Sequence, residues 1–143
     1  MPPSGLIDTG AVLALLDRND RWHDACLEAF SERRLPLLSS AAVLAELFHL
    51  LGDSGRDMAA AWRFLRSGAV QIGSISDEDL PALEELMLRY ADRPMDFADA
   101  TLVLLAERES LSDILTVDHD DFDTYRIGGR RRFNIAPARR GRR

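Results

Sequence analysis

The chain has 143 residues, 46% of them hydrophobic and 29% charged, which suits one globular domain with a hydrophobic core. Its single cysteine excludes a disulfide scaffold and a cysteine-rich zinc site, and no apolar run approaches the roughly 18 residues of a membrane span. The first residues carry no signal-peptide pattern, so we expect a cytoplasmic protein without membrane contact.

The charge is unevenly distributed along the chain. All 18 basic residues are arginine, so no lysine is present for a P-loop, a Schiff base or a lysine-dependent phosphoryl site. Residues 126–143 contain eight arginines and no acid, whereas residues 1–125 contain all 24 acids and a charge of −14. An acidic body is atypical of a nucleic-acid-binding protein judged by charge alone, so the carboxylates need their own explanation.

Short apolar runs alternate with helical periodicity along the chain. The predicted strands span residues 5–7, 36–38, 70–75, 114–117 and 133–135. Between them, helices are predicted over residues 11–17, 20–33, 41–51 and 57–67, from the cap Ser76 to Tyr90, and from Asp96 to about Glu109. Helix 41–51 is apolar and is expected to be mostly buried. This alternation predicts an α/β fold whose parallel sheet is covered on both faces.

Two aspartates follow predicted strands directly. Asp8 comes after the first strand, and Asp118 comes after the strand at 114–117. In parallel sheets the ligand crevice lies beyond the carboxyl ends of the strands, so both side chains are expected in one crevice. Taken singly, each is also typical of a turn or a helix N-cap.

Glu46 is the one acid in the apolar helix 41–51, where only His49 is otherwise polar. A buried carboxylate is costly unless it is paired, protonated or bound to a metal. The alternative is that Glu46 and His49, three residues apart, form the solvated stripe of this helix.

Asp96 and Asp99 open the helix that follows. Asp96 is well placed as an N-cap, and Asp99 at the third helical position suits the positive end of the helix dipole. Capping alone explains Asp96. Asp99 precedes an apolar stretch that faces the core, so we expect it to point into the crevice.

Four converging carboxylates, namely Asp8, Glu46, Asp99 and Asp118, repel one another unless some take up protons or bind a cation. Oxygen ligands of this kind suit Mg²⁺ or Mn²⁺. Such an ion activates water and neutralises charge on a phosphoryl group. The residues therefore predict a divalent metal site that acts on a phosphate-containing substrate.

Four motifs in this order resemble the PIN-domain ribonucleases, and most closely the VapC-type toxins of bacterial type II toxin–antitoxin systems. They are Ile7-Asp8-Thr9-Gly10, Ala45-Glu46, Phe97-Ala98-Asp99-Ala100 and Thr116-Val117-Asp118. The resemblance extends from Asp8 to about Tyr125. It implies a three-layer α/β/α PIN-like domain over residues 1–136, with a central, mostly parallel sheet of about four to five strands, and an arginine-rich tail over residues 137–143.

The resemblance also implies a function: Mg²⁺- or Mn²⁺-dependent endonucleolytic hydrolysis of RNA, with tRNA or rRNA as candidate substrates. Asp8 and Asp99 correspond to the main metal ligands, Glu46 to a ligand or a residue that orients water, and Asp118 to the fourth member of the site. Asp96 corresponds to a position that holds a second ion. Hydrogen bonds from Thr9 and Thr116 to the carboxylates, a homodimer and an inhibitory cognate antitoxin are further implications.

Other interpretations account for less of the sequence. Residues 6–11 match an aspartic-protease signature, but the helical periodicity that follows is at odds with an all-β protease. A receiver-like or haloacid-type site lacks its lysine, and three scattered histidines predict no zinc site. The remaining alternative is a catalytically silent PIN-like scaffold, which the presence of all four acids disfavours. The tail is either an RNA-backbone contact or a solubilising segment.

Overall fold

The computed structural model describes residues 1–139, which form helices and strands joined by short turns. The strands are β1 (Leu6–Ile7), β2 (Leu37–Ser40), β3 (Val70–Gly73), β4 (Asp113–Leu115), β5 (Arg126–Ile127), β6 (Arg131–Arg132) and β7 (Asn134–Ala136). The helices are α1 (Thr9–Leu16), α2 (His23–Ser31), α3 (Ala41–Leu51), α4 (Gly55–Arg66), α5 (Leu80–Arg89), α6 (Phe97–Arg108) and α7 (His119–Thr124).

Five strands form the central sheet in the order β3-β2-β1-β4-β7, and every pairing is parallel. The first strand lies in the middle, where Leu6 pairs with Leu38 on one side and with Ile114 on the other. All five carboxyl ends therefore meet at one edge of the sheet. This arrangement confirms the predicted parallel sheet.

Alternating side chains of the short strands enter two separate cores, one on each face of the sheet. Leu6, Leu38 and Ile114 pack with α5, α6 and α7. On the opposite face Ile7, Leu37 and Leu115 pack with α1, α2 and α4. The three inner strands β1, β2 and β4 thus bury apolar side chains on both faces, as a sheet covered by helices requires, and the three-layer α/β/α architecture is confirmed.

The central helix of one layer is α6, which begins at the carboxyl edge of the sheet. Its hydrophobic residues run almost all round, so most of the helix is buried. Asp96 ends the preceding turn and caps the helix by accepting the Asp99 N–H at 2.8 Å. The cap fixes where the first turn of α6, and with it Asp99, stands relative to the strand ends.

The prediction that α3 is mostly buried is wrong. Val43 packs into the core around α6 and Leu47 into the core around α1, whereas Ala45 is exposed and Leu50 is 57% exposed. The helix touches both cores through one flank. The apolar residues on its other flank stay open to solvent, so apolar composition alone overstated the burial of this helix.

Helix α7 and the hairpin strands β5 and β6 are absent from the predicted elements, whereas β7 corresponds to the predicted strand 133–135. His119 is buried in the first turn of α7, where its Nε2 lies 2.8 Å from the Pro137 carbonyl oxygen. Gly128 and Gly129 have φ values of 60° and 74° and form the turn between β5 and β6. A Gly-Gly pair is a hairpin signal, so this turn was visible in the sequence.

Two further sequence expectations concern the surface and the end of the chain. None of the helices within residues 1–139 has the length and apolar character to cross a lipid bilayer. In the predicted tail, Pro137 is buried and Arg139 Nη2 lies 2.5 Å from Asp120 Oδ1. The tail arginines Arg140, Arg142 and Arg143 lie outside the described residues.

Candidate metal centre

Asp8 lies at the carboxyl edge of the sheet, directly after β1. Its Oδ1 accepts the Thr9 N–H at 2.7 Å, and its Oδ2 accepts the Thr116 hydroxyl at 3.0 Å. The Asp118 N–H donates to Thr116 Oγ1 at 3.0 Å, so this threonine joins the chain after β4 to the chain after β1. The predicted hydrogen bond from Thr116 to a carboxylate is therefore present.

The hydroxyl of Thr9 does not make the contact that the sequence predicted. It lies 3.5 Å from the carbonyl oxygen of Val43, at the limit of a hydrogen bond. Thr9 instead contacts Asp8 through its backbone N–H, because it is the first residue of α1 and Asp8 is the N-cap. Any residue other than proline could supply that contact.

Three carboxylates form a tight cluster beside Asp8. Single oxygens of Asp99, Asp118 and Asp121 all lie within 4.8 Å of one another. Asp99 is buried in the first turn of α6, while Asp118 is the exposed N-cap residue of α7 and Asp121 lies one turn further along that helix. The spacing of three residues puts Asp118 and Asp121 on the same side of α7.

Asp121 is not among the acids predicted from the sequence, because the predicted elements do not include α7. The run His119-Asp120-Asp121-Phe122 contains a usable signal: Phe122 is fully buried and anchors the helix, which sets the direction of its acidic neighbours. Without the helix, the position of Asp121 relative to Asp118 could not be predicted.

Glu46 and Asp96 lie at the periphery of this cluster. Glu46 is half-buried on α3, and its charge contributes to the raised pKa of Asp8. Asp96 is exposed, and its charge contributes to the raised pKa of Asp99 while its Oδ1 caps α6. The structure therefore brings all five sequence-predicted acids to one edge of the sheet, with Asp121 as a sixth.

Burial is the main reason that the two innermost carboxyls hold protons unusually well. Desolvation raises the pKa of Asp8 from 3.8 to about 7, against the lowering effect of its two hydrogen bonds. The pKa of Asp99 is raised from 3.8 to about 8, mainly by desolvation and next by the negative charge of Asp8. Without a cation, this centre does not accommodate all of its carboxylates in the charged form near neutral pH.

The outer carboxylate Asp118 shows the same tendency more weakly. The pKa of Asp118 is raised to about 6, mainly by partial desolvation and next by the adjoining Asp121 carboxyl. Arg93 opposes this shift through its positive charge, and its Nε donates to Asp121 Oδ1 at 3.0 Å. Arg93 is thus a cation at the rim of the acidic centre.

Tyr125 holds Asp99 in place and was also missed from the sequence. It is fully buried, and its hydroxyl donates to Asp99 Oδ2 at 2.8 Å. Its ring lies edge-on to Phe122, with centroids 5.2 Å apart, and a similar distance from Tyr90. Burial and the Asp99 charge raise the pKa of the Tyr125 hydroxyl, so it remains a donor at all ordinary pH values.

Replacing Tyr125 with phenylalanine is expected to lower the affinity for Mn²⁺ by about tenfold while leaving the fold intact. The change removes one buried hydrogen bond that orients a carboxylate, an effect typically worth 10- to 100-fold in metal affinity. Calorimetric titration with Mn²⁺ measures it. Tyr90→Phe is the matched control, since its hydroxyl accepts a backbone N–H of Arg126 instead; equal losses in both variants would contradict a specific role for Tyr125.

The donor set of the centre fits a hard divalent cation. Carboxylate oxygens are its ligands, two of its carboxyls are buried, and no buried side-chain polar atom within the described residues lacks a hydrogen-bond partner. Mg²⁺ and Mn²⁺ prefer such oxygen ligands and are usually held by a few carboxylates together with water. Asp99, Asp118 and Asp121 are positioned to hold such an ion, with Asp8 adjacent.

An apolar groove of about 830 Å³ adjoins the acidic centre. It lies between α3, the chain after β3 and the start of α6, and Glu46 and Asp96 line it. Ile72 and Phe97 are 44% and 46% exposed there. Exposed apolar side chains gathered in a groove are typical of a binding surface.

Comparison with known proteins assigns a family to this arrangement. The family described as PIN domain matches residues 5–128, which include every acid of the centre. The chain is 32% identical to ribonuclease VapC26 of Mycobacterium tuberculosis (strain ATCC 25618 / H37Rv) over 134 residues, which cover 92% of this chain and 99% of the relative.

A solved structure has the same fold. The crystal structure of Mycobacterium tuberculosis VapC20, described as a sarcin-ricin loop cleaving toxin, matches with a TM-score of 0.73. At 22% identity, over 82% of this chain and 92% of that one, this match supports the fold alone. Together with the family match and the aligned ribonuclease, the acidic centre at the sheet edge leads to one conclusion: the chain belongs to the PIN domain family, as a VapC-type ribonuclease.

Proposed function

We propose that this protein hydrolyses RNA phosphodiester bonds with Mg²⁺ or Mn²⁺ held at the carboxyl edge of the sheet. The observation that carries the proposal is the convergence of Asp99, Asp118 and Asp121 within 4.8 Å, beside the buried Asp8. Such a group of raised-pKa carboxyls is costly in a purely structural role and gains its stability from a cation.

Each acid has a proposed role. Asp8 and Asp99 are the main ligands, because burial and hydrogen bonds from Thr116 and Tyr125 fix their oxygens. Asp118 completes the set directly or through water, and the structure adds Asp121 as an alternative ligand. Glu46 orients the attacking water or acts as a ligand, and Asp96 assists a second ion in addition to capping α6.

When bound, the ion supplies an activated water and neutralises developing charge on the phosphoryl group. The chain's own residues do the rest. Thr116 and Tyr125 keep the lone pairs of Asp8 and Asp99 directed into the site, and α7 holds Asp118 and Asp121 at its rim. Glu46, half-buried on α3, orients the attacking water in this proposal.

The proposed partners follow from the family. We propose an RNA substrate, with tRNA or rRNA as candidates, a homodimer and a cognate antitoxin that blocks the acidic centre, all in the cytoplasm. The exposed apolar groove beside Glu46 and Asp96 supports a protein partner on this surface. Light scattering of the purified protein tests the dimer.

A catalytically silent scaffold is the alternative function, and one experiment separates the two. Purified protein is incubated with mixed small RNAs while Mg²⁺ or Mn²⁺ is titrated, beside an EDTA control. Cleavage that depends on the metal supports the nuclease, and the half-saturating concentrations rank the two ions. Metal binding without cleavage of any RNA in the mixture, or neither binding nor cleavage, favours the scaffold.

Removing residues 138–143 is expected to weaken RNA binding without abolishing cleavage. The deletion removes four arginines, one of which pairs with Asp120. If all four contact phosphates of a single strand, the slope of log K against log salt falls by about 2.8. Fluorescence anisotropy at several salt concentrations measures the slope, and an unchanged slope would indicate a solubilising tail.

A further inference from the structure

Arg93 is a cation placed among the acids of the metal centre. Its Nε donates to Asp121 Oδ1 at 3.0 Å, and its Nη1 donates to Thr124 Oγ1 at 3.3 Å. Within residues 1–139, the Arg93–Asp121 contact is the only ion pair that involves a carboxylate of the Asp99–Asp118–Asp121 cluster. No motif in the sequence assigns a role to this arginine.

The turn that carries Arg93 is anchored at both ends. The Arg93 N–H donates to the Tyr90 carbonyl oxygen at 3.1 Å, and the Tyr90 ring packs against Tyr125, which holds Asp99. Two residues after the arginine, Met95 is only 3% exposed, and Asp96 then caps α6. The backbone therefore fixes the base of this side chain close to the centre.

The guanidinium keeps donors for a ligand. It has five N–H groups, of which the described residues accept two, and the side chain is 49% exposed. A guanidinium presents its donors as a planar fork that matches the oxygens of a phosphate. The part of Arg93 not used by Asp121 and Thr124 is thus available to an oxyanion from solvent.

Charge explains why such a ligand needs Arg93. Six carboxylates surround the centre, and one divalent ion leaves them with a net negative charge that repels an RNA backbone. We propose that Arg93 binds a phosphate of the RNA substrate beside the metal centre, and that it leaves Asp121 when a divalent ion takes that carboxylate. This inference rests on the proposed function, because it assumes an RNA strand crossing the centre.

Binding of RNA to an inactive variant provides the test. The two proteins compared are Asp8→Asn and the double variant Asp8→Asn/Arg93→Gln, both in Mg²⁺ at several salt concentrations. Each is titrated with a short labelled RNA that the wild-type protein cleaves. If the wild-type protein cleaves none, the mixed small RNAs are used instead. We expect Arg93→Gln to weaken binding about tenfold and to lower the slope of log K against log salt by about 0.7. Arg93→Lys should retain the slope. Arg66→Gln, at an exposed arginine that ends α4, is the matched control and should change affinity less than twofold.

A second readout separates phosphate binding from a purely structural role. Calorimetric titration of Mn²⁺ into otherwise wild-type protein should show equal or up to about threefold tighter binding in Arg93→Gln, because a competing cation is removed. A structural role predicts weaker Mn²⁺ binding with an unchanged salt slope, and that result would overturn the proposal, as would RNA affinity equal to that of the Asp8→Asn parent.

The two proposals fail in different ways. If the wild-type protein cleaves no RNA with any metal but Arg93→Gln still reduces RNA affinity and the salt slope, the nuclease proposal fails and the phosphate contact stands. If the wild-type protein cleaves RNA and Arg93→Gln leaves affinity and slope unchanged, the Arg93 inference fails alone.

Discussion

Replacing Asp8 with asparagine is expected to lower the rate of RNA cleavage by at least about 100-fold and to raise the melting temperature of the metal-free protein. The variant removes a proposed metal ligand, whose contribution of several kcal/mol corresponds to that loss in rate. It also removes a buried carboxyl that repels Glu46, Asp99 and Asp118. Activity and stability should therefore change in opposite directions.

The asparagine fits the site without disturbing the fold. Its amide oxygen can accept the Thr9 N–H as Asp8 does now, and its amide N–H₂ can donate to Thr116 Oγ1. Cleavage assays in Mg²⁺ and thermal unfolding in EDTA measure the two effects. Asp24→Asn, at an exposed aspartate in the first turn of α2, is the control. Cleavage by Asp8→Asn at the wild-type rate would refute the proposed role of this residue.

The stability of the metal-free protein is expected to fall as the pH rises from about 5 to 8.5. Asp8 and Asp99 have folded-state pKa values of about 7 and 8, above the ordinary value of 3.8. Between these values the folded state binds more protons than the unfolded state, so the free energy of unfolding decreases with increasing pH. We expect the melting temperature to drop by more than about 5 °C over this range.

A divalent ion should reverse this trend. It binds the deprotonated carboxylates of the folded state, so added Mn²⁺ should raise the melting temperature more at pH 8 than at pH 5. The hydrogen bond from Arg139 lowers the pKa of Asp120. That shift changes stability only in the acid range below about 3.8, so it does not affect the melting temperature between pH 5 and 8.5. Scanning calorimetry at both pH values, with EDTA or Mn²⁺, tests the prediction. A melting temperature that rises with pH in EDTA would contradict it, and Asp8→Asn should show a flatter dependence than the wild-type protein.

Local patterns predicted the parallel sheet and the acids that gather at its edge. Asp8 follows a two-residue strand and Asp99 stands in the first turn of a helix, so each position could be related to the crevice by topology alone. Helix α3 shows the limit of this approach. Its apolar composition gives no information on which neighbours are present, and one of its flanks faces an open groove.

The residues that the sequence did not predict depend on long-range contacts. Tyr125 reaches Asp99 across 26 positions of the chain, and Arg93 reaches Asp121 across 28. The position of Asp121 depends on α7, a helix of six residues that is stabilised by burial of Phe122 rather than by its own periodicity. Such short, acid-rich segments have weak intrinsic helical preference, so tertiary packing determines their conformation.

The sequence by itself determined the fold class, the order of the longer strands and helices, and which acids lie at the carboxyl ends of strands, because hydrophobic periodicity is a local property and alternating strands and helices imply a parallel sheet. Only the tertiary structure decided which carboxylates share a cation site, which are buried enough to hold protons near neutral pH, and which arginine stands beside them. Those properties arise from desolvation and from contacts between residues far apart in the chain, and no local pattern encodes either.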